Sequence, residues 1–203
     1  MNPISSAAPD KPARRGRWRL ALMLPAGLSL LAGLDAALIL LGVPAPVQVA
    51  TWGAAHSLAM VFGFVGALIA LERAVAWGRA AGYAAPVLLV LGGGSQLFAA
   101  PRQLTGALLI LGMAAMLAIY YPLWRRQRAD AVLIQMLGAC AGLAATVLYA
   151  GGVEIAMLLP WLAAFLVMTI AGERVELARI QLTQRSQTLA VVLNFGLLIM
   201  AVA

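Results

Sequence analysis

Asp35 and His56 are the two ionisable side chains that this 203-residue sequence places deep inside long apolar runs. Charge is expensive there, because no water is at hand to solvate it, so such a residue points to function or to a partner. Asp35 falls about eight residues before the end of the first run, ~12 Å along a helix axis, and His56 about six residues into the second, ~9 Å. Only the short segment Pro44 to Ala50 joins the two runs. Antiparallel helices would therefore bring both side chains to one depth, within direct or one-water reach. His56 also shares a helical face with Ala59, Gly63 and Ala67, at offsets of three, seven and eleven, so it is expected to face protein.

Other polar groups reach the same depth. Gly92-Gly93-Gly94-Ser95-Gln96 is expected to interrupt the third run. Glycine weakens helix, and irregular backbone inside a bilayer is tolerated only where protein or a cavity satisfies it. Asp35, His56, Ser95 and Gln96 thus define an expected polar or proton-handling site. The competing expectation is an Asp35–His56 hydrogen bond that ties two helices together, with the glycines serving packing. As a haem or copper site, His56 would bind through one ring nitrogen while Asp35 or a backbone carbonyl orients the other. One histidine cannot supply two, so Met157 is the candidate second ligand. Met60 shares the helix of His56 and cannot approach a haem iron from the opposite side. Copper(I) suits paired His and Met donors, since the thioether is soft.

The elements that carry these residues are membrane helices. Apolar residues make up 64% of the chain and charged residues 10%, against about 25% charged in a soluble domain. A fold of this size in water leaves too much surface exposed to hide so many apolar groups. Apolar runs occur at about 20–43, 50–71, 81–100, 103–124, 130–152, 153–172 and 187–203, most of them near the ~20 residues that a span requires. The expected fold is an all-α polytopic bundle of six to seven spans over 18–203. Residues 1–17 form a basic tail, expected to be disordered.

Basic residues set the orientation. Of fourteen Lys and Arg, only Arg102 falls on the far side if the runs alternate. Loops rich in Lys and Arg stay in the cytoplasm, so the N-terminus is expected there. Trp18, Trp77, Tyr83, Tyr120, Tyr121 and Trp124 then line the cytoplasmic interface, and Trp52 and Tyr149 the outer one. The net charge of +7 sits in short blocks between spans, a pattern that addresses anionic lipid and not nucleic acid. The single Cys140 permits no intramolecular disulfide and is expected to be a buried packing residue. Composition rich in Ala, Leu and Arg fits a bacterium, which makes the expected location a bacterial inner membrane. No catalytic motif and no soluble enzyme activity are read.

Small residues at four-residue intervals, Ala59/Gly63/Ala67 and Gly138/Gly142, mark expected helix contacts, within one bundle or between copies. Gln135 and Asn194 are expected to hydrogen-bond between helices. Two segments end alike, in Leu71-Glu72-Arg73 and Gly172-Glu173-Arg174. They are read either as a parallel repeat or as self-neutralising pairs at the interface.

The stretch His56-Ser57-Leu58-Ala59-Met60-Val61-Phe62-Gly63-Phe64 resembles a helix of the NnrS family of haem- and copper-containing membrane proteins. The resemblance implies a haem- or copper-associated function, respiratory or related to nitric oxide stress. His56 is the one ligand it carries over, because the family has several histidines and about twice the spans. The chain is similar to an N-terminal half of such a protein. Without the resemblance, the same residues suit a small transporter or permease-like protein with its polar site in the periplasmic half. Its partners are the lipid bilayer, and further copies or other membrane subunits.

The orientation is testable with compartment reporters. Fusions at Gln48 and Arg126 are expected to report opposite sides of the membrane; the same side for both would overturn the alternation of spans.

Overall fold

The computed structural model describes residues 11–178, together with 189–190, 192–194, 196 and 199–200. Among the described residues, six helices are long and apolar enough to cross a membrane. They are α1 (Lys11–Leu40, apolar over Leu20–Leu40), α2 (Thr51–Trp77), α3 (Ala80–Phe98), α4 (Arg102–Gln127), α5 (Asp130–Ala150) and α6 (Ile155–Leu177). Most of the seventh expected run, 187–203, lies outside the described residues.

Three expectations about local structure are corrected. The basic tail is helical from Lys11 onward, since Ala and Arg favour helix and Pro12 sits in the first turn, where a missing N–H costs nothing. The glycine run does not break α3. Ala84–Ser95 is continuous α-helix, tightening to a 3₁₀ turn only at Gln96–Phe98. The second and sixth spans also extend past their apolar limits, through Glu72-Arg73 and Glu173-Arg174, because Glu and Arg are good helix formers that snorkel at a span's end.

The irregular backbone lies instead in α2. Its entry, Ala50–Ala55, is a 3₁₀ turn, and Ala59–Gly66 is a π-helical stretch before regular helix resumes at Ala67. π-Helix is rare and widens the turn, which shifts the faces that follow it. α2 ends at Gly78, whose φ of +76 suits a residue without Cβ, and whose N–H caps the Ala74 carbonyl.

Consecutive helices are neighbours, and α6 returns to α2 through stacked Phe62 and Phe165, with ring centroids 6.1 Å apart. Glycine sets the spacing throughout. A Cβ on Gly92 would sit 2.7 Å from Leu109, and one on Gly112 2.8 Å from Leu89, a reciprocal pair between α3 and α4. Gly138 and Gly142 of α5 accept Met168 and Phe165 of α6 in the same way. The tightest contact is between α2 and α3, where a Cβ on Gly93 would fall 2.6 Å from Gly63 Cα and 2.7 Å from the Leu58 carbonyl. In lipid, where apolar contact gains little over solvent, such close approach is what holds helices together.

Gly93→Ala is expected to destabilise the detergent-solubilised bundle by about 1–3 kcal/mol, the cost of overpacking. Gly27→Ala, which meets open space, is expected to be neutral. Equal unfolding midpoints for the two variants would remove the α2–α3 contact from this role.

Candidate functional site

Asp35 is buried on α1, 7% exposed. Its Oδ1 accepts the Val47 N–H at 3.1 Å, so the loop after α1 folds back over it. Its other oxygen, Oδ2, is buried with no hydrogen-bond partner among the described residues. His56 is half-buried, with Nδ1 2.8 Å from the Gly33 carbonyl. A carbonyl only accepts, so Nδ1 is the donor of this bond and Nε2 takes no part in it.

The expected Asp35–His56 pair is therefore corrected: each side chain has a different partner, and no hydrogen bond joins them. The two do share one end of the bundle, as their depths suggest. Depth, however, says nothing about direction around a helix. Asp35 follows Gly33 by two residues, about 200° at 3.6 residues per turn, and Gly33 is the position that meets α2, against Met60.

What Asp35 lines is a groove of about 1090 Å³ between α1 and α3, closed at one end by Pro46, Val47 and Trp52. Leu28, Leu31, Leu91 and Phe98 on its wall are exposed, so it opens on the flank of the bundle. Trp52 donates through Nε1 to the Leu97 carbonyl at 3.1 Å, which ties the start of α2 to the end of α3. Ser95 lies on the wall; His56 and Gln96 do not.

Ser95 and Gln96 come together through a residue the sequence reading passed over. Thr105 on α4 is fully buried, 2.6 Å from Ser95 Oγ and 2.8 Å from Gln96 Nε2. Ser95 also bonds the Gly92 carbonyl, and Gln96 the Ala100 carbonyl. These groups satisfy one another and pin α3 to α4. Met157 stands apart, 70% exposed on the first turns of α6, and no described contact brings it to His56. Among the described residues no cluster of three or more His, Cys, Asp or Glu is suited to a metal ion. Cys140, expected to be buried, is exposed on α5.

A family described as Domain of unknown function (DUF8744) matches residues 19–203. The chain belongs to this family. No curated protein and no solved structure matches it.

The opposite end of the DUF8744 bundle is organised around Arg73. It is 6% exposed and bonds Glu72 at 2.6 Å and Glu176 of α6 at 3.5 Å. Arg174, its sequence counterpart, is exposed, so the two Glu-Arg segments are not structurally equivalent. Tyr120 is fully buried, and its hydroxyl has no partner among the described residues. The same holds for both amide atoms of Gln135, expected to bond between helices. Asn194 bonds within its own helix, to the Ala190 carbonyl. Three other aromatics at this end carry arginines on their faces: Arg79 on Trp77 at 5.3 Å, Arg128 on Trp124 at 4.8 Å and Arg125 on Tyr121 at 5.9 Å.

Removing both carboxylates would strand a buried cation. Glu72→Gln with Glu176→Gln is expected to cost about 3 kcal/mol, the low end for breaking a buried pair, because Glu72 is 60% and Glu176 34% exposed. Arg73→Met leaves only solvated carboxylates and is expected to cost less. Denaturant titration in detergent ranks the variants; the reverse order would refute the account.

Proposed function

We propose that this protein is a multi-pass protein of a bacterial inner membrane, with its N-terminus in the cytoplasm, that acts as a small permease-like protein. Its ligand site is the groove between α1 and α3, in the periplasmic half. The observation that carries this reading is Asp35. It lines a groove of about 1090 Å³, and its Oδ2 is buried with no partner among the described residues. A charged group in such a place is retained at a cost, and a ligand that engages it offsets that cost. The placement of all Lys and Arg except Arg102 on one side supports the orientation.

His56 supports a second reading, a haem- or copper-associated protein of respiration or nitric oxide stress. Donation from Nδ1 to the Gly33 carbonyl is the orienting bond that a ligating histidine uses, leaving Nε2 for the metal. This agrees with the resemblance to an N-terminal half of an NnrS-like protein. The second ligand would come from another copy or another membrane subunit, since Met157 faces outward.

Purified protein distinguishes the two. The permease-like reading expects no Soret band, substoichiometric copper, and compounds that raise the melting temperature of the wild type but not of Leu31→Trp, which narrows the groove. A Soret band or one copper per chain, lost in His56→Gln, would establish the second reading in its place.

A further inference from the structure

We propose that the groove takes lipophilic organic cations, with the Asp35 carboxylate as their counter-charge. This rests on the groove being the ligand site. The charge balance of its wall makes the assignment. Asp35 is 7% exposed, one oxygen is held by the Val47 N–H, and the other has no partner among the described residues. Among the described residues, no Lys, Arg or His lies on the wall. His56, on the neighbouring helix, is bonded to the Gly33 carbonyl. Arg102, the basic residue at this end, donates to the carbonyls of Tyr149 and Val153 and stacks 4.5 Å from the Tyr149 ring. A negative charge in an apolar wall is thus left for the occupant to balance, and an uncompensated buried ion is the costly case.

The wall also says what the occupant is not. An anion would meet Asp35 with no cation to offset the repulsion. A phospholipid would bring a phosphate that no wall residue can pair. A sugar would need several donors and acceptors, and beyond Asp35 and the Trp52 N–H, which is held by Leu97, the wall's polar side chains are the hydroxyls of Ser29 and Ser95. Those are already engaged, Ser29 with the Pro25 carbonyl at 3.0 Å and Ser95 as described. An apolar body bearing a positive charge fits the leucines, Phe98 and Asp35 together. Trp52, on the same wall and fixed by its bond to Leu97, adds an aromatic ring of the kind that attracts cations. The volume, about 1090 Å³, stands at the upper end of ligand pockets, on the order of 300–1,000 Å³, and admits a cation of several rings. Entry from the flank suits a molecule that partitions into lipid first.

The test uses two ions of one shape and opposite charge, tetraphenylphosphonium and tetraphenylborate, as radiolabelled probes on the full chain in detergent. Displaceable binding is measured for wild type, Asp35→Asn and Leu31→Trp. Asp35→Asn keeps a side-chain carbonyl for the Val47 N–H. The expected result is saturable phosphonium binding, weakened at least tenfold in Asp35→Asn, about 1.4 kcal/mol, abolished in Leu31→Trp, and no saturable borate binding. Equal phosphonium affinity in wild type and a folded Asp35→Asn would overturn the proposal. Equal binding of borate to the wild type would overturn it without any variant. In either case loss of binding in Leu31→Trp would leave the groove standing as a ligand site for another class. Absence of saturable binding by both ions, with Leu31→Trp behaving as wild type in every ligand-induced thermal shift, would overturn the cation assignment and the groove site together.

Discussion

The contact between Gly63 and Gly93 is the constraint on which the arrangement depends. In an apolar solvent two helices gain little by covering apolar surface, so their separation is set by what stands between the backbones. Here nothing does. A Cβ on Gly63 would meet Ser29 of α1 at 3.0–3.1 Å and the Gly93 carbonyl carbon of α3 at 3.5 Å, which makes this one residue the junction of three helices. It lies within the π-helical stretch Ala59–Gly66. The widened turn changes which residues of α2 face α1 and which face α3. Ser29 and Gly94, beside that junction, belong to the groove wall, so the walls of the groove are hung on the same glycine contact that holds the bundle.

The two buried ionisable groups show the same electrostatics resolved in opposite ways. Arg73 is a cation accompanied by carboxylates from its own helix and from α6. Its burial is compensated inside the chain, and it serves as a tie between α2 and α6. Asp35 is a carboxylate whose single protein partner is an amide, Val47 N–H. An N–H dipole stabilises a carboxylate but does not neutralise it. Nothing about packing distinguishes the residues, which are 6% and 7% exposed. Their partners do, and for that reason the functional argument attaches to the Asp35 end of the bundle.

Much of the fold was legible in the sequence because its strongest signals are one-dimensional. A run of apolar residues long enough to cross a bilayer, and the spacing of basic blocks, need no knowledge of contacts. Six of the expected runs are helices, with ends displaced where Glu and Arg extended them. The site was legible in residue type and depth but not in direction. Asp35 and His56 were matched by distance from their helix ends, while about 200° of helix between Gly33 and Asp35 turned one of them away. The glycine run misled for a related reason. Propensity scores glycine as a helix breaker, but between close-packed helices the absence of a side chain is the favourable term. The π-helical stretch left no trace in composition, and Thr105 was invisible because its partners, Ser95 and Gln96, sit on another helix. The groove itself is a space between helices and has no residue pattern of its own.

α1 carries Asp35 and is also the helix the bundle holds least. Only 28% of its apolar stretch is buried, against 56% for α2 and α5. With so little surface engaged, directional contacts fix its position: His56 to the Gly33 carbonyl, Val47 to Asp35, and Ser29 against Gly63. His56 therefore has a positional role that needs no metal, since its bond anchors α1 to α2 close to the carboxylate. Two of the three ties lie within three residues of one another on α1, at Gly33 and Asp35. A ligand that engages Asp35 thus acts on the wall with the weakest packing and on one of its few fixed points.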